Sequence, residues 1–238
     1  MKMEVFKDMT QQEYKKNRIY ALSGSIGGIF FMAGDCLLFC KAGLSNSTVE
    51  PLWAEMSEQR FIISAVLGFI GMSLMLPACI SFYRMIAATC PKAIQILTNF
   101  AFIGVASTGY LHFTLGTLLP VSYKAVLDSG GSAELAEKIC LHWAGVLEPV
   151  NIVLICCLCI IYIVHFYVTV SGRSGLKRII CLVGILGAFA VGMIWKLVFG
   201  DSAAGGAWGA CESFGEALTF FTAYLYWRKK CIGSEITK

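Results

Sequence analysis

Charge is what this sequence has least of. Only 14% of its 238 residues are Asp, Glu, Lys or Arg, against about 25% in an ordinary soluble domain. That shortage excludes a disordered chain, a basic nucleic-acid-binding domain and a routine cytosolic enzyme. Long polar stretches are missing as well. The longest run to roughly 20 residues, too short to bury a core of their own, so no separate soluble domain is expected. Absent too are a P-loop, a dinucleotide-binding glycine motif and a G-x-S-x-G elbow. The eleven cysteines never form the paired C-x₂-C units of a zinc site. No cofactor and no metal centre is expected.

Apolar residues fill the space that charge leaves. They make up 57% of the chain, and the mean hydropathy is +0.71. A membrane-spanning helix needs about 20 mostly apolar residues. Six segments qualify: Ile19–Cys40, Phe61–Tyr83, Ile94–Leu119, Ile139–Tyr167, Ile179–Phe199 and Gly205–Trp227. They are continuously apolar, whereas barrel strands are about 10 residues long and alternate apolar with polar. The expected fold is therefore all-α: a polytopic membrane protein with a six-transmembrane-helix bundle over residues 19–227, an N-terminal tail over 1–18 and a C-terminal tail over 228–238. The fourth segment exceeds what a bilayer requires, which predicts tilt or an interfacial extension.

Lys and Arg set the orientation. Lys2, Lys7, Lys15, Lys16, Arg18, Arg84, Lys92, Arg173, Lys177, Arg178, Arg228, Lys229, Lys230 and Lys238 fall on one side of this topology. Lys41, Arg60, Lys124, Lys138 and Lys196 fall towards the other. Both termini are predicted to be cytoplasmic, and the net charge of +4 is explained by topology without a nucleic-acid partner. The first segment is longer than a signal-peptide core and no small-residue cleavage site follows it, so it reads as a retained helix. Among the cysteines, a Cys40–Cys140 disulfide is one alternative to free packing thiols.

Small residues recur at helical spacing: Gly24-x₃-Gly28, Gly184-x₃-Ala188 and Gly205-x₃-Gly209-x₃-Ser213-x₃-Ala217. Such ladders let helices approach closely inside a bilayer. They predict packing within the chain; a homo-oligomer interface is the alternative. Pro77 and Pro149 lie within spans and release the carbonyls of Ser73 and Gly145.

Ionisable residues inside the spans are the informative minority. One charge at a helix centre costs about 2.5–3.5 kcal/mol on insertion scales. The spans nevertheless hold Asp35, His112, His142, Glu148, His165, Lys196, Glu212 and Glu216. Helical rise places all but His165 in the outer half, so His165 reads as an interfacial residue. The rest imply a polar pocket open to the outside. Trp208, Glu212 and Glu216 share one face of the last helix, and Glu148 and Asn151 share a stripe of the fourth.

Asp35, His112, Glu148, Asn151, Lys196, Trp208, Glu212 and Glu216 are thus the candidate ligand-binding residues. Their anionic balance favours a small amphiphile or cation, including a lipid headgroup. One alternative is an enzyme with Glu148, His112 or Glu212 as general acid or base on a lipid-like substrate. Another is a structural or accessory membrane subunit with a buried polar network, Lys196 neutralising a carboxylate.

Three short stretches carry a resemblance: Gly34-Asp35-Cys36-Leu37-Leu38, Gly109-Tyr110-Leu111-His112-Phe113, and Gly205-Gly206-Ala207-Trp208 followed by Phe220-Phe221. With them the chain resembles an uncharacterised bacterial family of six-helix multi-pass membrane proteins. The resemblance implies a plasma (inner) membrane location with membrane lipid as the surrounding partner. It transfers no catalytic role.

Overall fold

The computed structural model describes residues 9–44 and 49–236, with the side chains of 112–115 and 234–236 outside the description. Lys2, Lys7 and Lys238 of the charge argument lie outside the described residues. The described chain is helical, without a strand. Its helices are α1 (Gln11–Phe39), α2 (Glu58–Thr89), α3 (Lys92–Thr108), α4 (Tyr110–Asp128), α5 (Ala133–Val170), α6 (Ile185–Phe199) and α7 (Cys211–Ile236). Short 3-10 turns at Pro51–Glu55, Arg178–Leu182 and Gly205–Ala210 join or extend them. The apolar segments of the sequence fall on helix, except that the fifth is interrupted at Val183 and Gly184 and keeps a 15-residue α-helix. The third, however, resolves into two helices, α3 and α4.

That break has a local cause. The hydroxyls of Ser107 and Thr108 donate to the carbonyls of Ile103 and Gly104, at 2.8 and 2.7 Å. Back-bonding of this kind bends helices. Gly109 follows, and the Met72 side chain lies so close that an added Cβ would sit 2.7 Å from its methyl carbon.

Helix starts follow their caps. α1 begins upstream of the apolar run because Thr10 and Glu13 form a reciprocal capping box, which satisfies two otherwise orphaned amides. Thr10 also holds the Glu13 carboxyl below the usual carboxylate range, chiefly through its backbone hydrogen bond. Ser132 caps α5 by accepting from the Leu135 amide. α5 is 38 residues long and passes through Pro149 without a break. α2 does the same at Pro77.

α1 is the central element, packed along both α2 and α7. α5 packs along α3 and α4, and α6 lies against α7. The main core gathers Phe82, Met85, Ile86, Val168 and Trp227 at one end of the bundle and runs up to Phe31, Met72 and Leu154. A smaller cluster of Leu119, Tyr123, Ala136 and Cys140 joins α4 to α5 at the other end.

The connections sort the basic residues by end. At the first end, Arg84 donates to Asn17 Oδ1 at 3.0 Å, Arg173 to the Thr89 carbonyl at 3.4 Å, and Lys229 to the Gly175 carbonyl at 2.5 Å. At the opposite end, Arg60 donates to the Leu37 and Cys40 carbonyls, Lys124 to the Ala54 carbonyl, and the Gly43 amide to the Asp201 carbonyl. The first of these is called the basic end below.

The outer surface is apolar. Leu197 is 85% exposed, and Phe100 and Ile163 are each 67% exposed. Three helices, Gln11–Phe39, Glu58–Thr89 and Ala133–Val170, are long and apolar enough to cross a membrane.

Candidate functional site

The small-residue ladders are used up inside the chain, and they bring the site together. A Cβ on Gly24 would stand 2.3 Å from that of Ala78 on α2, and one on Gly28 would stand 2.7 Å from the Ala217 backbone on α7. Further along, Ser25 donates to the Ala217 carbonyl at 3.0 Å, and a Cβ on Gly209 would meet Phe39 at 2.5 Å. Close backbone approach along this seam carries two polar pairs into the interior. Asp35 of α1, 4% exposed, accepts a 2.5 Å hydrogen bond from Ser213 of α7. Ser64 of α2 donates to the Gly34 carbonyl at 2.9 Å.

Beside the Asp35–Ser213 bond lies a small, partly open cavity of about 30 Å³. Phe31, Met72, Met75, Val105, Leu154 and Leu158 form its apolar walls, and Gly109 adds the backbone of the α3–α4 break. Glu212, Ser213 and Glu216 supply its polar side. Tyr162 of α5 donates to Glu216 Oε1 at 3.4 Å. Apolar walls with a few convergent polar groups are the usual makeup of a small-molecule site. Unbranched methionines let such walls adapt to different occupants.

Of the residues singled out in the sequence, Glu212 and Glu216 line this cavity and Asp35 touches its lining through Ser213. Asn151 is half-buried on the α5 stripe that continues into Leu154 and Leu158. Trp208 packs its ring 5.9 Å from that of Phe189 and covers Gly192, beside the cavity rather than in it. The structure does not bring Lys196 or Glu148 into the cluster. Lys196 pairs with Asp201 at 2.8 Å in the α6–α7 connection. Its hydrogen bond and charge hold the Asp201 carboxyl below the usual range. Lys196 therefore neutralises a loop carboxylate, not a cavity one. Glu148 and His142 are exposed on α5. His112 sits on α4 three residues beyond the break, and its side chain lies outside the described residues.

His165 corrects the expectation of an interfacial histidine. It is 2% exposed, with its ring 6.3 Å from that of Phe82, and its Nε2 has no hydrogen-bond partner. All eleven cysteines are free thiols. The Cys140 thiol donates to the Leu119 carbonyl at 3.3 Å rather than joining Cys40. Among the described residues, no three His, Cys, Asp or Glu side chains converge as metal ligands.

Sequence reasoning missed Tyr162 and Ser213. Ser213 was visible only as a rung of the small-residue ladder, where packing sufficed to explain it. Tyr162 stands in an otherwise apolar run, and its one signal is that a buried Tyr hydroxyl needs a partner.

Residues 6–230 match the model of a family of unknown function, DUF6796. No curated protein and no solved structure matches the chain.

Proposed function

Because the chain belongs to that family of unknown function, we propose its role from the cavity itself: it binds a small amphiphile with a cationic head inside the membrane. The observation that carries this reading is the pair Glu212 and Glu216 set one helical turn apart into a wall of Met, Leu, Phe and Val side chains. Carboxylates in such surroundings favour a positive headgroup, and the apolar walls suit a short alkyl body. In this reading the protein is a six-span, multi-pass protein of the plasma membrane with both termini cytoplasmic. Support comes from the three helices long and apolar enough to cross a membrane and from the gathering of Lys and Arg at one end of the bundle. The cavity then belongs to the half of the bundle away from the cytoplasm.

The test uses protein purified into lipid nanodiscs and three probes of equal chain length: decyltrimethylammonium, decanol and decyl sulfate. Decyltrimethylammonium raises the thermal unfolding midpoint, the other two raise it less, and Glu216→Gln removes the difference while Glu148→Gln keeps it. Equal shifts from all three probes, or an undiminished shift in Glu216→Gln, overturn the reading.

One observation favours a second reading. The buried Asp35–Ser213 bond ties α1 to α7 as a purely structural network would. That reading requires Glu212→Gln and Glu216→Gln to lower stability without any ligand present. The acid–base alternative, built on Glu148, His112 and Glu212, has Glu148 on an exposed face of α5 rather than in the cavity lining.

A further inference from the structure

The basic end of the bundle is short of carboxylates. Among the described side chains it holds one, Glu13 at the start of α1, which accepts from the Thr10 amide and hydroxyl. Glu55, Glu58, Asp128, Glu134, Glu137 and Asp201 all belong to the opposite end. The cations of the basic end therefore have few anions within the chain to meet.

Some of these cations converge on the turn that follows α5. Gly172 and Gly175 adopt left-handed φ angles of 72° and 65°, which glycine tolerates without strain. The Gly175 amide donates to the Gly172 carbonyl at 2.9 Å, so the chain reverses within four residues. Ser174 is buried, and its hydroxyl accepts from the Leu176 amide at 3.3 Å, which sets the path of the chain into Lys177 and Arg178. The Lys229 ammonium of α7 reaches the same turn and donates to the Gly175 carbonyl at 2.5 Å. Arg178 Nε lies 3.9 Å from the point where a Cβ on Gly172 would stand. Arg173 is engaged elsewhere, over the Tyr167 ring and on the Thr89 carbonyl. Lys177 and Arg178 are exposed and have no hydrogen-bond or ion-pair partner among the described residues.

Like charges brought together without a carboxylate repel one another, and a bound anion removes that cost. Guanidinium and ammonium groups suit phosphate oxygens in particular. The surroundings say which phosphate. α5, long and apolar enough to cross a membrane, ends at this turn, which puts the turn where headgroups begin. The next turn, Arg178–Leu182, carries Ile179, 63% exposed, and Leu182, 53% exposed. A free anion makes no use of such side chains, whereas a lipid lays its acyl chains against them.

We propose that the turn over residues 171–178, together with Lys229, is a headgroup site for an anionic phospholipid of the adjoining leaflet. Lys177, Arg178 and Lys229 hold the phosphate, and Ile179 and Leu182 receive the acyl chains. The site lies apart from the cavity and does not depend on what the cavity binds.

The test titrates the full chain, in micelles of a neutral detergent, with three probes: phosphatidylglycerol, phosphatidylcholine of the same acyl chains, and inorganic phosphate. Phosphatidylglycerol raises the thermal unfolding midpoint, and the other two leave it near its starting value. In Arg178→Gln/Lys229→Gln the apparent affinity for phosphatidylglycerol falls by about tenfold or more, as expected for lost charge-assisted hydrogen bonds. Lys15→Gln/Lys16→Gln, which removes as much charge from the same end at the start of α1, keeps the parent's affinity. Equal shifts from the two lipids, or an undiminished affinity in Arg178→Gln/Lys229→Gln, overturn the proposal. So does an equal loss in the α1 variant, which marks diffuse attraction, or an equal shift from inorganic phosphate, which marks a site for a free anion. Should Arg178→Gln/Lys229→Gln fail to fold, Lys177→Gln/Arg178→Gln decides, since neither of those side chains holds the described structure together.

Discussion

Gly28 and Gly145 are the same residue in two helices of similar character, yet they occupy opposite worlds. Around Gly28, α1 and α7 touch backbone to backbone, and an added Cβ would stand 2.7 Å from the Cα of Ala217. Around Gly145 on α5, nothing lies within 4 Å of that position. The α1–α2–α7 seam is a closed structure of small residues and serine hydroxyls. The stretch of α5 near Gly145 is exposed, with Val146 54% and Ile152 52% accessible. The difference teaches that the two helix groups are held by different means: one by geometric fit, the other by packing on α3 and α4 along a single face.

Three substitutions break or sharpen the contrast. Gly28→Ala has the largest expected effect. The contact atom is backbone and cannot rotate away, so overpacking costs about 3 kcal/mol or more. A fall in the thermal midpoint and loss of monodisperse protein in detergent would register it. Next comes the polar fastener of the same seam. Ser213→Ala leaves a buried carboxylate short of one donor, at about 1–3 kcal/mol. In a double-mutant cycle with Asp35→Asn, measured by equilibrium unfolding, the coupling energy should be about 1 kcal/mol or more; additivity would show that the two groups act separately. The smallest effect is expected at Gly145→Ala. With open space around it, the substitution should stabilise α5 by about 0.5–1 kcal/mol through helix propensity. A destabilisation would mean that this face of α5 is covered.

Much of the fold was legible because burying backbone in an apolar solvent leaves few options. Continuous apolar runs of the required length become helices, and the first, second and fourth did so as single helices long and apolar enough to span, while the third split in two and the fifth kept a 15-residue α-helix. The seam was legible as well, in Gly24, Gly28, Gly209, Ser213 and Ala217. The break at Gly109 was not, since it depends on Ser107, Thr108 and a methionine from another helix acting together. The candidate site was half legible. Cost of burial pointed to Asp35, Glu212 and Glu216, and these came together. The same cost argument selected Glu148 and Lys196, but depth along a helix says nothing about direction around it or about a loop partner such as Asp201. His165 was misplaced for a related reason: position near a helix end suggested exposure, while Gly184 and Phe82 lie against its ring.

The Gly28–Ala217 contact also bears on how such a chain is made. α7 is not among the helices apolar enough to cross a membrane alone, and it carries Glu212 and Glu216. In the six-span reading, each carboxylate opposes partition into lipid by about 2.5–3.5 kcal/mol at the helix centre. In that reading α1, synthesised before α7, keeps its glycine face and Asp35 uncovered until α7 joins it. Insertion of α7 and closure of its seam with α1 are then one and the same event in biogenesis.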